Sequence, residues 1–279
     1  MVSSTSWPVE KLISILLFLA NASASATPEA YDSVSDVARV FASILKDHLQ
    51  GDQPKDVAKR AIDGMLKGLD PWSRRIGESK APAKGQSFVC LIDRGIIRLT
   101  IKRFNGDGKG WLKACPGLDR NLPVLIDLRD NPGGQVSDAL GLADLFVANE
   151  VVLVEQRRQG EPIRHRADQR VVRHAGLSIL VNQKTGSEAE LIAAALQRSA
   201  GAKILGLRTM GKTTVQTAVY LSSGEIVLLT TGRLELPTGE VIEGRGVQPD
   251  QAIPASPSAF ACAQASRRWT AMGCELPSK

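Results

Sequence analysis

The stretch VNQKTGSEAELIAAALQ, residues 181–197, decides how the chain is read. An apolar strand ends at Val181, a polar turn follows, and an alanine- and leucine-rich helical segment takes over. A strand that feeds a helix through a short turn is the repeating unit of an α/β protein. Ser187 stands where the helix begins, a place that suits a helix cap and equally a nucleophile. A serine nucleophile needs a base. No histidine lies within the stretch, so the base has to come from elsewhere in the chain.

Outward from this stretch the same texture repeats. FVCLI, GIIRLTI, PVLIDL (residues 123–128), VVLVEQ, LSILVN and KILGL are short apolar segments. Helical segments, one predicted over about 137–146 and one after Ser187, fall between them and indicate an α/β core. TAVYL and EIVLLTT are more closely spaced and predict β-rich edge structure. Upstream, Val34, Val37, Val40, Phe41, Ile44, Leu45 and Leu49 recur at helical spacing, and a second helix is predicted over 54–69. The proline of LDPWS, residues 69–73, ends it, and the polar residues 74–86 read as a linker. The chain thus divides into an export signal (1–26), a helical segment with linker (27–86), a core (87–251) and a tail (252–279).

The signal rests on LISILLFLANASASA, residues 12–26, an apolar run followed by small residues at small-x-small cleavage patterns. The run is too short to span a bilayer comfortably, so stable membrane insertion is not expected; an uncleaved anchor or a buried first helix is the alternative. Export places the mature chain in the periplasm or outside the cell. There the four cysteines suggest disulfides, with Cys90–Cys115 and Cys262–Cys274 paired on sequence proximity, or else four buried thiols. The formal charge of +6 is modest, aromatics are 4% of residues, and basic residues are not interleaved with them, so nothing supports a nucleic-acid partner. The six arginines and two histidines of residues 157–174 read as a solvated loop or hairpin.

Two further motifs carry chemistry. In IDLRDNPGGQ, residues 126–135, a buried strand ends at a turn whose glycines, Gly133 and Gly134, can present N–H groups to an anion, or form a tight turn and nothing more. RTMGKTTVQ, residues 208–216, completes a phosphate-loop pattern, GLRTMGKT. A phosphate loop opens a helix, whereas the β-branched residues after Lys212 and the turn at Ser222-Ser223-Gly224 predict a hairpin, which argues against nucleotide binding. Lys212 suits another role. Buried between a glycine turn and an apolar strand it loses its proton more easily and can act as a base, with the Gln216 side-chain carbonyl holding the amine. A Ser-Lys pair needs no histidine. The backbone N–H of Glu188, at the helix N-terminus, can join one from Gly133 or Gly134 as an oxyanion hole.

Together these motifs resemble those of the C-terminal processing, or tail-specific, proteases, the S41 serine peptidases. DLRDNPGG (127–134), NQKTGSEAELI (182–192), TMGKTTVQ (209–216), PTG (237–239) and GRGVQPD (244–250) stand in the family's order, after LDPWS. The resemblance implies a crotonase-like α/β protease core with an N-terminal helical segment. It implies peptide-bond hydrolysis through an acyl-enzyme, near protein C-termini, with polypeptide substrates and no metal or cofactor. It makes Ser187 the nucleophile, Lys212 the general base, Gln216 its orienter and Glu190 the motif glutamate. Two features depart from the family. About 25 residues separate Leu69 from Gly95, too few for the PDZ domain usually found there. Glu188 replaces a small residue beside the nucleophile, its side chain either in solvent or set against the oxyanion. A catalytically weak or inactive peptide-binding module is the alternative.

Overall fold

A computed structural model describes residues 28–49, 51–77, 88–106, 110–167 and 171–253. It forms two compact units, Met1–Asp70 and Pro71–Lys279. The export-signal residues 1–26, Cys262, Cys274 and most of the predicted tail lie outside the described residues. In the first unit, helix α1 (Pro28–Asp47) and helix α2 (Pro54–Lys67) pack on each other. Pro54 begins α2, where its missing N–H costs nothing and its fixed φ suits the first turn. Among the described residues no helix is long and apolar enough to cross a membrane.

The second unit holds two sheets. In the larger one, β2 (Phe88–Asp93) and β3 (Ile96–Ile101) form an antiparallel hairpin. Its two-residue turn puts Arg94 and Gly95 at positive φ, the backbone that matches strand twist. Strands β4 (Val124–Asp127), β7 (Leu177–Val181), β8 (Lys203–Gly206) and β11 (Gln251–Ala252) continue from β3 in parallel, in the order β11-β8-β7-β4-β3-β2. All four residues of β4 are buried, and Val124, Leu125 and Ile126 form the continuous apolar run expected of a parallel strand covered on both faces. The crossover from β7 to β8 is the helix α5 (Glu188–Ala200); a shorter helix, α4 (Val136–Ala143), follows β4, and the single turn α3 (Trp111–Ala114) precedes it. Residues 188–196 of α5 are all buried, so this helix runs through the core instead of lying on its surface.

The smaller sheet is antiparallel: β1 (Arg74–Ile76), β5 (Glu150–Arg157), β6 (Ile163–Ala167), β9 (Thr214–Tyr220) and β10 (Ile226–Glu235). The long β10 pairs with β9 as a hairpin and with both β1 and β5. Three expectations meet the structure here. Residues after Lys212 form the β9–β10 hairpin and not a helix, so the phosphate-loop match lacks its helix. The arginine-rich 157–174 segment begins as the β5–β6 hairpin. The linker reading of 74–86 fails at its start, because Arg74–Ile76 pairs with Leu228–Ile226, and the compact unit begins at Pro71. Polar side chains hid a strand whose stability comes from backbone pairing. Likewise Ala252, assigned to the tail, pairs in β11.

Cys90 and Cys115 are joined, with Cα atoms 5.4 Å apart, tying β2 to the end of α3. Closing a 25-residue loop in this way removes about 3.5 kcal/mol of unfolded-chain entropy.

Gly134 meets a tight backbone constraint. Phe104 donates its N–H to the Gly133 carbonyl at 3.1 Å, and Gln135 donates to the Phe104 carbonyl at 2.7 Å. Gly134 has φ +153, and a Cβ there would collide with the Phe104 carbonyl oxygen. We expect Gly134→Ala to lower unfolding free energy by about 2–4 kcal/mol, measured by urea denaturation, because rigid backbone must move.

Candidate active site

The site is assembled from three loops at one end of the parallel sheet. The first follows β4. Asp127, 1% exposed, takes Arg129 Nε at 2.7 Å and Nη2 at 2.6 Å on its two oxygens, with Arg98 of β3 at 3.1 Å. Burial pushes this carboxyl up, but the guanidinium of Arg129 outweighs it and holds the group below the ordinary range. A buried charge paired in this way organises the turn. Beyond it, the buried Asn131 donates to the Ile101 carbonyl at 3.2 Å and accepts the Gly133 N–H at 2.8 Å. Its own carbonyl accepts the N–H of Gly186 at 2.9 Å.

That last bond joins the second loop, which follows β7. Asn182 and Asp130 exchange two hydrogen bonds of 3.0 Å. Thr185 donates its hydroxyl to the Leu128 carbonyl at 2.8 Å. Between these ties the chain turns sharply, and Ser187 caps α5 with φ 55 and ψ −128, a conformation that L-residues avoid. Such strain persists when its surroundings over-determine it, and it is a feature of nucleophile turns. Ser187 is 3% exposed.

The third loop follows β8 and carries Lys212. One group ties it to Ser187. Glu190, with no exposed surface, accepts the Ser187 N–H at 2.9 Å and the Lys212 N–H at 2.7 Å on Oε1. Its Oε2 accepts the Thr209 hydroxyl at 2.6 Å and the Gly211 N–H at 2.8 Å. Burial pushes this carboxyl above its ordinary value, against four donors that favour the carboxylate.

Lys212 is half-buried. Its Nζ donates to the Thr214 carbonyl at 3.0 Å and lies 5.5 Å from the centre of the Trp72 ring. Burial is the main force lowering its pKa, and Arg74 adds to it. Glu188, Glu243 and Glu190 oppose the shift without cancelling it.

The structure brings Ser187, Lys212, Gly133, Gly134 and Glu188 into one cluster and corrects one expected contact, that of Gln216. No hydrogen bond joins Ser187 Oγ to Lys212 Nζ, because the amine is turned onto Thr214. Gln216 makes no hydrogen bond to Lys212; its Nε2 donates to the Trp72 carbonyl at 2.6 Å. The glycine N–H groups are already in use, Gly133 on Asn131 and Gly134 on Glu188 Oε2 at 2.9 Å. Glu188 is 6% exposed, so its side chain turns inward and not to solvent. Gly133 lies so close that a Cβ there would come within 2.8 Å of Ser187 Cβ and collide with the Glu188 carboxylate.

Trp72 is the site residue that sequence reasoning missed. Its carbonyl anchors Gln216, its ring faces Lys212, and its Nε1 donates to Glu243 at 3.3 Å. Glu243 in turn accepts the Thr213 N–H at 2.6 Å and hydroxyl at 2.7 Å. The signal was present, since Trp72 sits inside the LDPWS motif, but nothing in a linear pattern placed it beside a lysine so far downstream.

With this geometry in view, the relatives are informative. Residues 93–253 match peptidase family S41. The chain belongs to that family, and its fold is the crotonase-like α/β fold of the family's proteases. A probable CtpA-like serine protease of Staphylococcus aureus is 32% identical over 195 residues, which are 68% of this chain and 39% of the relative. A carboxyl-terminal-processing protease of Picosynechococcus is 33% identical over 52% of this chain and 34% of its own length. The chain therefore spans well under half the length of these relatives. Among solved structures, a photosystem II D1 C-terminal processing protease is 26% identical, with a TM-score of 0.53 over 71% of this chain and 53% of that one. A lipoprotein from Streptococcus agalactiae shares the fold alone, with a TM-score of 0.61 at 18% identity over 82% of this chain and 88% of that one.

Proposed function

We propose that the chain is an exported serine endopeptidase that hydrolyses polypeptides through an acyl-enzyme on Ser187, with Lys212 as general base. The observation that carries this reading is Glu190 Oε1, which holds the backbone N–H of Ser187 and that of Lys212 at 2.9 and 2.7 Å. One buried carboxylate thereby ties the backbone of Ser187 to that of Lys212. The lowered pKa of Lys212 supports the same role, because a base has to be neutral to accept a proton.

In the reaction, neutral Lys212 takes the proton of Ser187 as Oγ bonds to the scissile carbonyl carbon. The charge developing on the carbonyl oxygen is met by the N–H groups of Gly134 and Glu188. Lys212 then gives its proton to the leaving amine as the peptide bond breaks. Water, deprotonated by the same lysine, attacks the acyl carbon, and the lysine returns that proton to Ser187 Oγ as the ester bond breaks. The amine has to leave the Thr214 carbonyl to do this, and Gln216, through Trp72, supports the wall that faces it. Action near C-termini is suggested by the names of the relatives, and the connection from Ser73 to Phe88 is too short to contain a PDZ domain at that place.

The test is turnover of an unfolded, fluorescently labelled casein by the full chain. Ser187→Ala is expected to abolish it, and equal rates for wild type and variant overturn the assignment. A second reading, a peptide-binding module without turnover, is favoured by the engaged state of Gly134 N–H and Lys212 Nζ. It predicts peptide binding by wild type with no cleavage at any pH.

A further inference from the structure

The resting site holds a carboxylate where its reaction would place an oxyanion. Glu188 Oε2 accepts the Gly134 N–H at 2.9 Å, and the same carboxylate lies hard against Gly133. Gly133 offers no substitute, because its N–H is bound by the buried Asn131. The donor from this loop that a substrate carbonyl needs is therefore occupied by the residue next to the nucleophile.

The charge of Glu188 has a second effect. The charged groups facing Lys212 are Glu188 and Glu190 of α5, Glu243, and Arg74 of β1. Glu190 and Glu243 are committed to backbone N–H groups of residues 211–213, so their positions are fixed. Glu188 is held by one N–H across a loop, and it favours the ammonium form of the amine that has to be neutral.

We propose that Glu188 is an intramolecular inhibitor of this site, its carboxylate mimicking the oxyanion on the Gly134 N–H until an incoming substrate displaces it. The proposal rests on Ser187 being the nucleophile. A charge-assisted hydrogen bond outcompetes the neutral carbonyl of a bound substrate, so the ground state of the reaction meets a blocked donor. Displacement is favoured as the carbonyl oxygen becomes anionic and matches the carboxylate in charge. A small residue at this position would leave the donor open from the start. The inhibitor is thus written into the sequence one position beyond the serine.

The experiment compares the full-length wild type with Glu188→Ala and Glu188→Gln. It follows the rate at which a small fluorophosphonate labels Ser187, and the turnover of labelled casein, with Ser187→Ala as the blank. Glu188→Ala is expected to label and turn over at least about tenfold faster, since a charge-assisted hydrogen bond no longer has to be broken. Glu188→Gln keeps the shape with a weaker acceptor and is expected to fall between the two. Cooperative thermal melting of each variant establishes that it is folded, and the glutamine variant carries the test if the alanine variant is not. Wild type labelled as fast as the folded variants overturns the inhibitor while leaving the nucleophile in place. No labelling of Ser187 in any folded protein overturns the nucleophile, and the inhibitor with it.

Discussion

Lys212→Ala is expected to lower turnover of an unfolded protein substrate by about 10³-fold or more while leaving the fold intact. The amine contacts the Thr214 carbonyl and the face of Trp72, neither of which depends on it for satisfaction in the way a buried ion pair would. Lys212→Arg distinguishes a base from a mere positive charge, because a guanidinium keeps its proton and cannot accept another. Both variants are expected to be equally inactive in a casein assay, and an active arginine variant would remove Lys212 from the role of base. The wild-type pH profile follows from the same group. The folded pKa of Lys212 is lowered by burial, so the neutral, active fraction grows as pH rises through a value below that of an ordinary lysine. Stability moves in the same direction. The unfolded chain binds the proton more tightly between the folded and the ordinary value, so stability rises with pH across that window. A rate that is flat from weakly acidic to alkaline pH, with chemistry limiting, would contradict the assignment.

Glu190→Ala is expected to cost about 3–5 kcal/mol of stability, a loss of the order of 10 °C in melting temperature, and to remove activity as well. It strips the acceptor from the N–H groups of Ser187, Gly211 and Lys212 and from the Thr209 hydroxyl. Glu190 is wholly buried, so water has no ready access to those donors. Glu190→Gln is a sharper probe. Its amide presents one acceptor oxygen, so one pair of donors faces an NH₂ group. If that pair is Thr209 and Gly211, the hydroxyl can turn to accept, but the Gly211 N–H cannot. We therefore expect the glutamine variant to lose about 1–3 kcal/mol, less than the alanine variant, while losing activity because the Lys212 loop shifts. Differential scanning calorimetry and the casein assay check both effects. An alanine variant as stable as wild type would mean the four donors find other partners.

Much of this architecture was legible in the chain. The runs PVLIDL and LSILVN read as strands because parallel strands buried on both faces need unbroken apolar sequence. The hairpin after Lys212 read as a hairpin because its β-branched residues and Ser-Ser-Gly turn oppose a helix. Ser187 and Lys212 stood out as candidates because a helix start and a glycine turn are local features. Three things were not legible. Arg74–Ile76 looks like linker because its partner, β10, lies more than a hundred residues away. Gln216 was expected to reach the lysine because the two are close in sequence, whereas in a β-strand the intervening residues carry it to Trp72. Glu188 could have pointed either way, and the loop after β4 decides that it points in.

Residue type and periodicity by themselves determined most of the core strands and helices, β1 excepted, and which side chains are chemically able to act. Those are properties of short stretches, set by burial patterns and by what a serine, a lysine or a glycine can do. Which donors are free, which carboxylate is committed, and whether the amine faces the serine or a carbonyl were decided only by tertiary structure. Hydrogen bonds of about 3 Å depend on where loops from β4, β7 and β8 meet, and no local pattern encodes a distance between segments far apart in the chain.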